Sequence, residues 1–308
     1  MKIYNSVSEL VGNTPLVRLY GIEKALGLSA KLIVKLEAKN PAGSAKDRVA
    51  KYIIEAAERD GLVKSGSVII EPTSGNTGIG IAAIAAARGY RAIIVMPSTM
   101  SDERKKMIRA YGAELVETDG ALGMAGSIKK AEELKREIPG SIIAGQFTNP
   151  ECVRAHRETT GPEIYSDTDG EIDIFVAGIG TGGTVSGVGE YLKSVKPECK
   201  IIGVEPCRSA VLSGEPAGAH GIQGIGAGFI PEILNQSVID EVVKASEEES
   251  FEAARLLART EGILAGISSG AALSVGIRLA GLEENEGRTI VVLLPDTGER
   301  YLSVGLFD

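Results

Sequence analysis

Histidine is scarce in this chain: His156 and His220 are the only two in 308 residues. The three cysteines, Cys152, Cys199 and Cys207, form no C-x-x-C pair. A His/Cys zinc site therefore lacks ligands at workable spacing, so no metal is expected. An odd thiol count suits no disulfide framework. Basic excess is missing too. A net charge of −8 argues against a polyanionic partner such as nucleic acid. No apolar run could span a bilayer: the longest stretch of small apolar residues, Gly78 to Ala87, falls far short of the roughly 20 residues required. The opening MKIYNSVSEL shows no basic region followed by an apolar one, so no signal peptide is read and the cytoplasm is the expected compartment.

What remains is ordinary for a soluble globular protein, with 44% hydrophobic and 24% charged residues. The length suits one large or two mid-sized α/β domains. Short apolar runs alternate with amphipathic stretches. The predicted strands are Leu32–Ala38, Ser67–Pro72, Arg91–Pro97, Ala113–Thr118, Ser141–Phe147, Ile172–Gly178, Lys200–Pro206, Val238–Ser246 and Thr289–Asp296. Most are continuously apolar, as strands buried on both faces by helices should be. Doubly wound, mostly parallel sheets follow. The glycine-dense Gly214–Pro231 reads as a long functional loop.

Three stretches carry chemistry. In NPAGSAKDRVAKYIIEAAERDG (Asn40–Gly61), Ser44 and Asp47 have capping-box spacing ahead of the stripe Val49, Ile53, Ala56 and Ala57. Lys46 then falls in the first turn of a helix, beside the positive end of its dipole, where a neutral and nucleophilic amine is favoured. The alternative is a solvated lysine at a helix start. In EPTSGNTG (Glu71–Gly78), a strand gives way to a helix near Thr77. Amides there, with the hydroxyls of Thr73, Ser74 and Thr77, suit a carboxylate or phosphate, or ordinary N-capping. In FVAGIGTGGT (Phe175–Thr184), Gly178, Gly180 and Gly183 fit G-x-G-x-x-G, and Glu205 ends the next strand where a ribose-binding acid would stand. Thr181 and Thr184 suit a single phosphate equally well. A nicotinamide-dependent oxidoreductase would use only this third stretch. A pyridoxal-phosphate enzyme acting on an amino acid would use all three.

The chain resembles the cysteine synthase (O-acetylserine sulfhydrylase) branch of the fold-type II pyridoxal-phosphate enzymes. Stretches that carry the resemblance include VGNTPLVRL (Val11–Leu19), NPAGSAKDR (Asn40–Arg48), EPTSGNTG, GQFTNPE (Gly145–Glu151), GIGTGGT (Gly178–Thr184), IQGIGAGFIP (Ile222–Pro231) and GILAGISSGAA (Gly262–Ala272). The resemblance implies a tryptophan synthase β-like fold with pyridoxal 5'-phosphate as cofactor. Residues 1–39 and 147–308 would form a larger cofactor-binding domain, and 40–146 a smaller mobile domain with the substrate-carboxylate loop. It implies Lys46 as Schiff-base lysine and general base, and Gly180, Thr181, Gly182, Gly183 and Thr184 as the phosphate cup. Asn76 would meet the cofactor's phenolic oxygen. Thr73, Ser74, Gly75, Thr77 and Gln146 would hold the substrate carboxylate. Ser268, or its neighbour Ser269, would meet the pyridine nitrogen.

The activity implied is replacement of the acetyl group of O-acetyl-L-serine by sulfide, with O-phosphoserine, cystathionine-forming and dehydratase chemistry as variants on the same machinery. A homodimer is implied, as is binding of the C-terminal tail of serine acetyltransferase in the cleft. Two stretches depart from the pattern. Ala45 stands where a valine is expected, and PAGAHGIQ (Pro216–Gln223) loosens a tighter loop, which leaves the acyl donor and the partner open. Beyond these, His156 reads as a helix-surface residue, His220 as solvated loop, the cysteines as inert thiols, and DERKKMIR (Asp102–Arg109) as a solvated helix face with pairs such as Asp102–Lys106.

Overall fold

The structure, a computed structural model, describes residues 3–308. The first half runs β1 (Leu16–Arg18), α1 (Tyr20–Leu26), β2 (Lys31–Leu36), α2 (Lys46–Arg59), β3 (Val68–Pro72), α3 (Asn76–Arg88), β4 (Arg91–Pro97), α4 (Asp102–Ala110), β5 (Glu114–Thr118), α5 (Gly123–Glu137) and β6 (Ile142–Ile143). The second half runs α6 (Glu151–Ala155), a π-helical turn His156–Thr160, α7 (Gly161–Asp167), β7 (Ile174–Gly178), α8 (Gly183–Val195), β8 (Lys200–Pro206), β9 (Glu241–Ala245), α9 (Glu247–Glu261), α10 (Ile267–Ala280) and β10 (Thr289–Leu294).

Two compact units result. The smaller gathers the chain up to Val11 with Asn40–Cys152, and the larger gathers Gly12–Lys39 with Val153–Asp308. The residues up to Val11 and 147–152, which the sequence boundaries assign to the larger domain, cluster with the smaller unit instead. The 3-10 turn Val7–Leu10 packs on α3, which explains the first of these.

The smaller unit is built on a four-stranded parallel sheet in the order β5-β4-β3-β6. Every residue of β3 is buried, so its sequence VIIEP carries no polar alternation. On one face Val68, Ile70, Ile93 and Val95 pack with Ala131 of α5. Ile69, Glu71 and Ile94 therefore point to the opposite face, towards α3, where Ile94 stands against Gly78. The larger unit has six strands in the order β1-β2-β10-β7-β8-β9. All are parallel except β1, which pairs antiparallel with β2. The central β10 is buried along its length, and its five apolar side chains, Ile290 to Leu294, each contribute about 1.5–3 kcal/mol by leaving water.

All nine strands predicted from sequence are present, and the fold class is the one expected. Two details differ. The sequence reading missed β1, a three-residue edge strand too short to show a period. The run Ser141–Phe147 yields only the two-residue β6, because Gly145 turns the chain aside at φ 72.

Candidate active site

Helix α2 opens on Lys46, with Val49, Ile53, Ala56 and Ala57 buried as the stripe requires. The capping box does not form as predicted. Ser44 Oγ accepts from the Lys46 amide at 3.3 Å, and the Asp47 carboxylate reaches back to the Ala42 amide at 2.6 Å. The N-cap is Ala45 rather than Ser44, a shift of one residue, and Lys46 remains in the first turn. Gly80, one turn into α3, faces the Lys46 carbonyl so closely that a Cβ there would stand 2.9 Å from its oxygen. This close approach fixes α2 against α3 and places Lys46 beside the loop that precedes α3.

That loop has its own internal bonds. The Gly75 amide donates to Thr73 Oγ1 at 3.1 Å, and Thr77 Oγ1 donates to Gln146 Oε1 at 2.5 Å. Gln146 Nε2 donates to the Pro72 carbonyl at 3.2 Å. Thr73, Thr77 and Gln146 are buried while Ser74 is exposed. Helix α3 begins at Asn76 with Gly75 at its N-cap and no side-chain cap, the kind of helix start at which an anion can bind. Lys46, Thr73, Ser74, Gly75, Asn76, Thr77 and Gln146 are thus all supplied by the smaller unit.

The larger unit holds the rest. Helix α8 follows β7 through Gly180 and Thr181, with N-cap Gly182 in the left-handed region at φ 86 and no side-chain cap. A Cβ on Gly180 would stand 2.3 Å from the Gly224 carbonyl oxygen, so only glycine fits where the two loops cross. A Cβ on Gly224 would in turn stand 3.3 Å from Ser268 Oγ, in the first turn of α10. The Gly180–Thr184 loop and Ser268 are therefore neighbours through Gly224. Ser269 Oγ points to the Asp296 carbonyl at 3.5 Å. Glu205 is not available to a ribose: its carboxylate accepts from the amides of Leu212 and Ser213 and from Ser213 Oγ.

The sequence readings of His156 and of Asp102–Arg109 are corrected here. His156 is fully buried, not on a helix surface. Its Nδ1 lies 2.9 Å from Thr160 Oγ1 and its Nε2 lies 3.2 Å from Thr184 Oγ1, so the ring orients a hydroxyl of the α8 loop. The π-helical turn that begins at His156 widens the helix at this point, a distortion common at functional sites. Thr160 at i+4 was the only local signal; Thr184 is a tertiary partner. Nor is Asp102–Arg109 a purely solvated face. Arg104, Lys105 and Ile108 are buried, and Arg104 lies against Gly75 of the Thr73–Thr77 loop. The spacing of Arg104 and Ile108, four apart on one helix face, could have flagged this. Lys105 pairs with Glu117 at 2.7 Å.

The remaining singled-out residues are quieter. His220 is half-buried, its Nε2 donating to the Gly226 carbonyl at 3.0 Å, rather than solvated. Burial pushes the Cys152 and Cys199 thiols up to about 12, which keeps them protonated and unreactive. No helix among the described residues is long and apolar enough to cross a membrane.

The donor set fits pyridoxal phosphate: a lysine in a first turn, an uncapped glycine loop for the phosphate and a second uncapped anion loop. Comparisons with known proteins agree. The family described as pyridoxal-phosphate dependent enzyme matches residues 7–296. A cysteine synthase of Staphylococcus aureus is 49% identical over 99% of this chain and 98% of its own. The crystal structure of a cysteine synthase from Entamoeba histolytica has a TM-score of 0.96 at 48% identity, covering 99% of this chain and 91% of that one. An O-ureido-L-serine synthase has a TM-score of 0.96 at 44% identity, covering 100% and 96%. The resemblance read from motifs therefore holds over the full length, and the chain belongs to the pyridoxal-phosphate dependent enzyme family, in its cysteine synthase branch.

Proposed function

We propose that the protein is a cysteine synthase, replacing the acetate of O-acetyl-L-serine with sulfide to give L-cysteine. The observation that carries this most is the packing of the Lys46 backbone carbonyl on Gly80, which sets the first turn of α2 against the first turns of α3, a helix that begins without a side-chain cap. Bound pyridoxal phosphate supplies an aldehyde for the substrate amine and a ring that withdraws electrons from Cα. Gly180–Thr184 hold the phosphate on the first-turn amides of α8, with His156 orienting Thr184 Oγ1. Asn76 holds the phenolic oxygen. Thr73, Ser74, Gly75, Thr77 and Gln146 hold the substrate carboxylate. The Lys46 amine removes the Cα proton and returns it once sulfur is bonded to Cβ.

Ser268 faces the pyridine nitrogen, a choice supported by its position opposite Gly224 while Ser269 is turned to Asp296. A neutral hydroxyl leaves that nitrogen unprotonated, which weakens the electron sink and favours loss of the Cβ leaving group over transamination. The acyl donor is assigned as acetyl. An O-phosphoserine donor would need a cation for its second phosphate, and Arg208, which follows β8, is largely exposed and lies 3.6 Å from Glu247. The protein works in the cytoplasm as a homodimer, and it binds the C-terminal tail of a serine acetyltransferase in competition with substrate.

The visible spectrum of the purified protein tests the chemistry. A yellow band that shifts to longer wavelength with O-acetylserine and returns on adding sulfide is expected. A band that ignores O-acetylserine and answers phosphoserine would reassign the donor. A protein that pyridoxal phosphate cannot colour would end the proposal.

A further inference from the structure

Glu71 has no part in the chemistry above, yet it is the one acid in β3 and is fully buried. Its Oε2 accepts from the Gly145 amide at 2.9 Å, while Oε1 is buried without a hydrogen-bond partner. Gly145 is the turn residue that sends Gln146 back across the sheet end. Gln146 then bonds Pro72 O on one side and Thr77 Oγ1 on the other. A continuous path runs from Glu71 through Gly145 and Gln146 to Thr77, joining both ends of the Thr73–Thr77 loop from behind.

We propose that Glu71 is a positioning residue for the carboxylate-binding loop, acting through the Gly145–Gln146 turn, and that its ionisation weakens carboxylate binding as the solution becomes alkaline. The inference rests on the reading of Thr73–Thr77 and Gln146 as the substrate-carboxylate site. Burial pushes the Glu71 carboxyl up to about 8, with the hydrogen-bonded Gly145 amide, and the nearby Gln146 groups that complete no hydrogen bond to it, pulling the other way. No charged neighbour offsets that burial. The strands on either side of β3 bring Ile94 and the Ile142–Ile143 pair, and the first turns of α3 carry no charge. Charged groups reach this side of the sheet from the first turn of α2, as Lys46, Asp47 and Arg48, and from α4, as Arg104 against Gly75. The Cys152 thiol, close to both Glu71 and Lys46, stays neutral.

Near neutral pH, then, Glu71 holds the turn as an uncharged acid. Above about 8 it becomes an anion behind a loop that must receive another anion. Each pKa unit of coupling between the two corresponds to a tenfold change in affinity.

The test is acetate binding to the holoenzyme by calorimetry from pH 6.5 to 9.5, with competition against O-acetylserine to place the acetate in the site. For the wild type, the acetate Kd should rise about tenfold between pH 7 and 9. Glu71→Gln keeps an oxygen for the Gly145 amide and cannot ionise, so its Kd should match the neutral wild type and stay flat. Glu71→Ala releases the turn and should bind at least tenfold more weakly at every pH, with O-acetylserine KM raised more than kcat is lowered. Wild-type affinity that is flat from pH 7 to 9 overturns the inference without any variant. So does a Glu71→Gln protein that keeps the wild-type pH dependence. If acetate fails to compete and O-acetylserine leaves the visible band unmoved, the site reading itself falls, and this inference with it.

Discussion

Helices α8 and α9 begin under the same physical rules and meet them in opposite ways. Helix α9 completes its own end. Ser246 sits extended at φ −84 and ψ 165, its Oγ accepting from the Glu249 amide at 3.1 Å while Glu249 Oε2 accepts from the Ser246 amide at 2.8 Å. Glu247, Glu248 and Glu249 crowd its first turn, where negative charge is favoured. Helix α8 has a left-handed glycine at its cap, no side-chain bond and no acid in its first turn. Helices α3 and α10, which begin at the other candidate residues, are likewise uncapped and free of first-turn acids. A glycine in place of a capping Ser or Thr costs only about a few tenths of a kcal/mol. Helix α5 is also uncapped and free of first-turn acids, so an open end alone marks no ligand; what sets α3, α8 and α10 apart is that each open end carries a glycine N-cap beside the candidate residues.

The strongest way to break this contrast is to block the loop itself. Gly180→Ala drives a methyl to within 2.3 Å of the Gly224 carbonyl oxygen, and backbone cannot step aside as a flexible side chain could. Pyridoxal phosphate affinity should drop at least a hundredfold, about 2.7 kcal/mol, while circular dichroism shows the fold intact. Unchanged cofactor affinity would mean the loop has another task. A gentler change makes α8 resemble α9. Thr184→Asp adds a first-turn acid near His156. The apoprotein should melt at the same temperature or a few degrees higher, and the holoenzyme should bind its cofactor at least tenfold more weakly, since the new carboxylate opposes a phosphate for the same amides. If cofactor binding survives, the phosphate is not held at the start of α8.

What could be read in the sequence follows the reach of each signal. Continuous apolar runs such as SVIIEP and TIVVLLP mark strands buried on both faces, and all nine of these appear where expected. Lys46 was legible because the stripe from Val49 to Ala57 fixes the phase of α2 even when its capping box fails to close. His156 and Arg104 were not legible. Their sequence neighbours are charged, and the partners that bury them, Thr184 and Gly75, lie 28 and 29 residues away along the chain. Glu71 was quoted within a motif but given no task. Its meaning depends on Gly145, brought alongside by the pairing of β3 with β6.

The capping acid of α9 and the buried acid of β3 should also respond oppositely to pH. In α9 the bonds from Ser246 hold the Glu249 carboxyl below its usual range. That pairing contributes stability above the unfolded value, near 4.5, which is lost as pH falls through the lowered folded value. Glu71 runs the other way. Between about 4.5 and about 8 the folded chain keeps a proton that the unfolded chain has released. Stability should therefore fall as pH rises across that window, by up to about 1.4 kcal/mol per unit, and level off above it. Glu71→Gln should flatten this slope in apoprotein denaturation measured from pH 5 to 9. An unchanged slope would show that Glu71 is ionised throughout.

The smallest effect belongs to the completed end, and it serves as the control for the rest. Ser246→Ala removes the acceptor for the Glu249 amide and unties the reciprocal bond. The expected cost is about 1 kcal/mol of stability, seen as a lower denaturant midpoint with an unchanged m-value. Because α9 keeps its cap for itself, pyridoxal phosphate affinity and O-acetylserine KM should not move. A Ser246→Ala protein that lost cofactor affinity as Gly180→Ala is expected to would erase the distinction between the two helix starts, since capping and ligand binding would then draw on one cooperative unit.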